Sequence, residues 1–150
     1  MSGLKLSARH TNPKNRWANQ YEELSNQSNF HETVRYLFQT DQFFSNLSCY
    51  QEVPVHELIE DYSSHQHRYD WYIEELNTIV ELHGEQHYNP TAFGHASFEA
   101  VQKAFQSSQK RDLLKKEAAE AAGFRYVCIS YKEIKKITGA YLKTLLLENQ

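Results

Sequence analysis

The stretch RYDWYIEELNTIVELHGEQHY, Arg68 to Tyr88, gathers Asp70, Glu81, His83, Glu85 and His87 around one glycine, Gly84. Its first half alternates, with Tyr69, Trp71 and Ile73 on one side of an extended strand and Asp70, Tyr72 and Glu74 on the other. Leu76 and Asn77 supply a tight turn. The return strand TIVELHG sets Ile79, Glu81 and His83 on one side and Val80 and Leu82 on the other, and Gly84 ends it. The pattern predicts an antiparallel hairpin with Asp70 and Glu81 on neighbouring strands, at similar distances from the turn.

Outward from the hairpin, Phe30, Val34, Leu37 and Phe38 recur at helical spacing, and Ser28 or Asn29 can cap that helix. LSCYQEVPV at 47–55 reads as a strand closed by Pro54, and VHELIED as a short helix or turn. After a loop at 85–96, one helix is expected from Ser97 to about Ser107. A second follows, ending at Gly123 as a C-terminal cap. FRYVCIS reads as a buried strand, and residues 131–150 as a final amphipathic helix weakened at Gly139. Residues 1–27 form a basic arm or lead-in, and residues 28–150 the folded domain. The order helix, strand, hairpin, helices, strand, helix predicts a single α/β domain, a mixed sheet flanked by helices.

The chain has 150 residues, enough for one core, with ten Tyr, eight Phe and two Trp. No apolar run approaches the roughly 20 residues of a membrane helix. The N-terminus lacks the apolar segment of a secretory signal. Cys49 and Cys128 have no metal-type spacing and read as reduced, mostly buried thiols of a cytoplasmic protein. The net charge of -3 is segregated: residues 1–21 carry +4, residues 22–99 carry -12, and residues 100–150 carry +5. Basic ends around an acidic middle suit either a solvated surface or phosphate-binding flanks on a metal-binding centre.

Two adjacent carboxylates repel each other, and a hard divalent cation relieves that repulsion. Asp70 and Glu81 could therefore hold Mg²⁺; two acids on the polar face of a half-buried sheet would read the same. His87, just past Gly84, is placed to take a proton near neutral pH, or to be a surface histidine. Asp112 precedes Lys115 and Lys116 on a helix, where the lysines could touch phosphates or Asp112 could simply pair with Lys116. Glu32 near a helix start is a favourable charge there. His65-x-His67 and His83-x3-His87 could bind zinc, but His83 falls on a strand and His87 in a loop, and two thiols far apart in sequence do not complete a finger.

Taken in order, RYDWYI, VELHGEQHY, RDLLK, Gly123, RYVCIS and Tyr131 resemble the very-short-patch-repair-like (EDxHD) branch of the PD-(D/E)XK nucleases, and in particular phage homing endonucleases. The resemblance spans about residues 28–135. It implies a restriction-endonuclease-like fold and a Mg²⁺-dependent DNA endonuclease, with Mn²⁺ able to substitute. It gives Glu32, Asp70, Glu81, His87 and Asp112 catalytic roles: metal at Asp70 and Glu81, His87 as general base, and Asp112 holding that histidine or a water. His83, Gln86 and Lys115 fall at accessory positions, His83 where the wider superfamily often has lysine. The cysteine-rich zinc site of the mismatch-repair members is absent from this spacing. Lys5, Arg9, Lys14, Arg16, Lys110, Arg111 and Lys116 are the candidate contacts to double-stranded DNA. The expectation is a cytoplasmic, phage- or mobile-element-encoded nicking enzyme, a monomer or weak homodimer without membrane contact. An inactive DNA-binding protein on the same fold and a nuclease selective for branched DNA or RNA are the alternatives.

Overall fold

The computed structural model describes residues 16–88 and 97–148. A five-stranded sheet holds β1 (Ala18–Asn19), β2 (Cys49–Pro54), β3 (Arg68–Ile73), β4 (Thr78–His83) and β5 (Arg125–Ser130), in that order. The first four strands are antiparallel neighbours, and β5 joins β4 in parallel. A parallel pair requires a long crossover. The long helix α3 (Phe98–Ala121) lies within it. With α1 (Asn29–Thr40), the single turn α2 (Val55–Leu58) and α4 (Gly139–Leu147), this makes one α/β domain on a mixed sheet.

The sheet separates two apolar layers. On one face Phe30, Val34 and Phe38 of α1 and Leu142 and Leu146 of α4 pack on Trp71, Ile73, Val80, Leu82 and Ile129. Phe38 meets Trp71 edge-on, with centroids 4.9 Å apart. On the other face Val53, Tyr69, Tyr72 and Ile79 receive α3 through Ala119. The hairpin turn is a 3-10 turn at Glu74–Leu76 closed by Asn77 at φ 50°, a left-handed conformation that asparagine tolerates.

Four expectations change. The basic lead-in reaches into the body: Ala18 and Asn19 pair with Gln51 and Tyr50, and buried Gln20 donates to the carbonyls of Phe44 (3.1 Å) and Leu47 (2.9 Å). The two helices expected over 97–122 are one 24-residue helix, capped by Ser97 at one end and closed past Ala121 by Gly123 at φ 90°. Nothing between Ser97 and Gly123 is Gly or Pro, and serine lowers helix propensity by less than about 0.7 kcal/mol. The C-terminal helix starts late. Tyr131–Glu133 is a 3-10 turn, and Thr138 caps α4 by accepting from Tyr141 N. Gly139 is therefore the first helical residue rather than an interior flaw. Finally, Cys49 is buried but Cys128 is exposed, both as free thiols. Among the described residues no helix is long and apolar enough to cross a membrane.

A Cβ at Gly139 would collide with the carboxylate of Asp41, which accepts from Phe43 N (3.0 Å) and Phe44 N (3.4 Å) at the end of α1. Gly139→Ala is therefore expected to lower stability by about 1–3 kcal/mol, although alanine is the better helix former. Urea denaturation measures this, and a neutral or stabilising result would mean that Asp41 moves aside freely.

Candidate active site

The backbone ladder between β3 and β4 pairs Ile73 with Thr78, Tyr72 with Ile79 and Trp71 with Val80. One step further, side chains take over. Asp70 N donates to Glu81 Oε2 at 2.7 Å, and Leu82 N donates to Asp70 Oδ2 at 2.7 Å. The other side of β3 is interrupted at the same level. β2 pairs with it at Gln51–Trp71 and Val53–Tyr69, and between them Glu52 adopts φ 50°. This overturns the simple alternation expected of β3. Trp71 and Ile73 face the α1 layer, while Tyr69 joins Tyr72 in the α3 layer. β4 alternates as expected, so Val80 and Leu82 lie in the α1 layer and Ile79 in the other.

Each carboxylate at this opening has a cationic neighbour. His31 on α1 brings Nε2 to 3.4 Å from Asp70 Oδ1, while its Nδ1 lies 2.8 Å from the Oγ of the cap residue Ser28. Burial alone would raise the Asp70 pKa, but the hydrogen bond and charge of His31, the Leu82 N–H and the Lys115 charge hold it below the ordinary carboxylate range. Burial opposes protonation of His31, yet Asp70 prevails and raises its pKa. Glu81 is 1 % exposed, and Lys115 Nζ reaches its Oε1 at 2.5 Å, with Tyr126 Oη 3.5 Å from the same oxygen. Burial first, and then the Asp70 charge, push Glu81 up to about 8 against the pull of Lys115. Glu52 is likewise raised by burial and by Asp70.

A second group stands at the end of β4. His83 closes the strand, Gly84 leads into a 3-10 turn at Glu85–His87, and His87 Nδ1 meets Asp112 Oδ2 of α3 at 2.8 Å. A carboxylate only accepts, so the shared hydrogen sits on Nδ1 and leaves Nε2 as the basic nitrogen. The His87 hydrogen bond holds Asp112 below its ordinary pKa despite burial. The rings of His83 and His87 stack in parallel, 4.2 Å apart, and Cys128 Sγ lies 3.7 Å from His83 Nε2. Burial and His87 lower the His83 pKa, while the charges of Asp112 and Asp70 oppose them. His83 thus sits within electrostatic reach of both groups.

The structure brings together Asp70, Glu81 and Lys115, and separately His83, His87 and Asp112. Glu32 is held elsewhere: Arg35, one turn along α1, donates to its Oε1 at 3.0 Å. The residue that α1 turns toward Asp70 is the preceding one, His31. Lys110, Arg111 and Lys116 are exposed on α3, whereas Arg16 pairs with Glu57 at 3.3 Å. Lys5, Arg9, Lys14 and the side chain of Gln86 lie outside the described residues. Sequence reasoning missed His31 and Glu52. The only signals were an acid in the middle of the apolar strand CYQEVP and a histidine in the first turn of a helix beside Glu32.

This arrangement can hold a hard cation on carboxylate oxygens and can take a proton at His87 Nε2. A scan of the sequence against family models gives no match, and neither do comparisons with curated proteins and with solved structures.

Glu81 has a folded value near 8 against an ordinary value of 4.5. The folded state holds its proton more tightly, so its contribution to stability is present below about pH 4.5 and lost as the pH rises through about 8. In metal-free buffer the stability of wild type relative to Glu81→Gln should therefore fall between pH 5 and pH 8. Thermal denaturation across that range tests this, and a flat difference would reject the buried, proton-holding Glu81.

Proposed function

We propose that the protein is a metal-dependent DNA endonuclease of the very-short-patch-repair-like PD-(D/E)XK type. The observation that carries this reading is the pairing of two devices around β4: the linked carboxylates Asp70 and Glu81 at the ladder opening, and the His87–Asp112 pair at the strand end. A mixed sheet with α1 and α3 on opposite faces is the kind of scaffold that reading requires.

The donor set fits Mg²⁺. Oxygen ligands suit a hard ion, and Asp70, Glu81 and Glu52 provide carboxylates at one level of the sheet. Two of them, Glu81 and Glu52, are driven toward protonation by burial and by the Asp70 charge. A divalent cation would relieve that repulsion. Asp70 and Glu81 would hold it. Bound there, the ion would supply charge neutralisation at the phosphate and a more acidic water.

His87 Nε2 accepts the proton from the attacking water. Asp112 fixes the tautomer and stabilises the imidazolium that results. The water oxygen forms the new bond to phosphorus as the bond to the 3′ oxygen breaks. The products are a 5′-phosphate and a 3′-hydroxyl, whose proton comes from solvent. Lys115 offsets the carboxylate charge beside the phosphate. One such centre cuts one strand, so a single chain nicks duplex DNA.

Conversion of supercoiled plasmid, carrying phage or host target sequences, to open circles tests the reading. Activity should require Mg²⁺ and vanish in EDTA. His87→Ala should lose roughly 10²–10⁴-fold in rate, the usual worth of a general base. Asp70→Ala should fall to background. Unchanged rates in both variants would remove the assigned centre, and DNA binding without cleavage on any target would favour a DNA-binding protein on the same fold.

A further inference from the structure

We propose that His83, His87 and Asp112 form a second metal site, suited to a borderline ion of the zinc class, and that an ion bound there blocks the reaction by occupying His87. One donor atom from each of the three residues lies within 4.8 Å of the others. They come from three separate pieces of the fold: the last residue of β4, the 3-10 turn after Gly84, and the middle of α3. All three are partly exposed, so an ion can reach them from solvent.

The two groups of donors differ in kind. Asp70, Glu81 and Glu52 give only oxygen, which favours Mg²⁺. His83 and His87 give imidazole nitrogen, which favours zinc and its neighbours, and Asp112 completes a His-His-carboxylate set of the type that binds zinc with an open fourth position. Neighbouring groups around β4 thus sort two kinds of ion by ligand chemistry. The parallel stack of His83 and His87 at 4.2 Å places two imidazoles side by side, with the Cys128 thiol beside His83 Nε2. Zinc–nitrogen bonds of about 2.0–2.1 Å set tetrahedral donors roughly 3.4 Å apart, a spacing that donors lying within 4.8 Å of one another reach by small side-chain rotations. Rotation of His83 at the strand end and of His87 on its short turn supplies that movement.

The binding half stands on these three residues alone. The inhibitory half rests on the nuclease reading, because there His87 must keep its lone pair free for the proton of water. An ion held by His87 and Asp112 together displaces the hydrogen they share at Nδ1, so the ring loses the tautomer that leaves Nε2 basic while Asp70 is untouched.

Calorimetric titration of the full chain with Zn²⁺, in excess Mg²⁺, tests the binding half. One equivalent should bind, and Asp70→Ala should retain it. His83→Ala should weaken it by at least about tenfold, comparable to the loss of a group supporting a metal ligand. His83→Asn serves as a second variant, with folding of each checked by circular dichroism. Absence of stoichiometric binding, or undiminished binding in both folded His83 variants, overturns the site. In the cleavage assay Zn²⁺ should inhibit wild type, while His83→Ala, compared with its own zinc-free rate, should resist the same concentration. Full cleavage by zinc-loaded wild type overturns the inhibitory half. Zinc binding in a chain that cleaves nothing supports the site and counts against the nuclease reading alone.

Discussion

Two carboxylates do the work of backbone ladder bonds between β3 and β4. Asp70 N is satisfied by Glu81, and Leu82 N by Asp70. Ending the backbone ladder at Trp71–Val80 would otherwise strand two buried N–H groups, each costing about 1–3 kcal/mol unpaired. The side chains remove that cost but carry negative charge into the sheet. Much of the surrounding structure answers this charge. α1 turns His31 to Asp70, and α3 turns Lys115 to Glu81. Isolated buried carboxylates would simply stay protonated. Here the cations hold Asp70 ionised while Glu81 keeps a high affinity for its proton, and the proposed metal would act on this unequal pair.

α3 couples the opening to the proton acceptor. Asp112 and Lys115 are three residues apart and so share one face of the helix. Lys115 points inward to Glu81, and Asp112 meets His87 nearer the end of β4. One further turn along, fully buried Ala119 packs against the sheet layer of Tyr69, Tyr72 and Ile79. A small residue there lets the helix axis come close, and that approach allows Lys115 to reach a carboxylate that is 1 % exposed. Tyr69 Oη also donates to the Lys115 carbonyl at 2.8 Å, fixing the helix along its axis. The same flip that puts Tyr69 in the α3 layer thus tethers the helix that supplies the counter-charge.

The parts that were legible in the residues are those set by local pattern. The alternation of TIVELH places Glu81 opposite Val80 and Leu82, whereas its level with Asp70 depends on a turn that spans Glu74–Asn77 rather than the expected Leu76–Asn77 pair. Ser28 before an apolar helical stripe gives the start of α1, and Gly123 gives the end of α3. The parts that were not legible depend on tertiary structure. Nothing in RYDWYI says that Tyr69 abandons the face of Trp71, because the cause is the interruption at Glu52 on the neighbouring strand. Glu32 and His31 are adjacent on α1, and only the angle at which the helix crosses the sheet decides which one meets Asp70. The 2.8 Å contact between His87 and Asp112 spans a 25-residue separation that local pattern does not constrain. The resemblance gave Asp112 either that histidine or a water as partner, and the contact is with His87.

Charge segregation along the chain becomes a spatial arrangement through α3. The acidic middle of the sequence supplies Glu52, Asp70 and Glu81, a centre that repels a polyanion of the kind proposed as substrate. Fields between exposed charges decay over about 8–10 Å at physiological salt, so distant cations in the C-terminal part cannot offset it. Lys110, Arg111 and Lys116 are exposed on α3 within about one turn of Asp112 and Lys115. The inward face of α3 meets buried Glu81 through Lys115, and its exposed side carries positive charge along the same helix. A phosphate could then approach the opening along a surface whose local sign is opposite to that of the residues that would bind the metal.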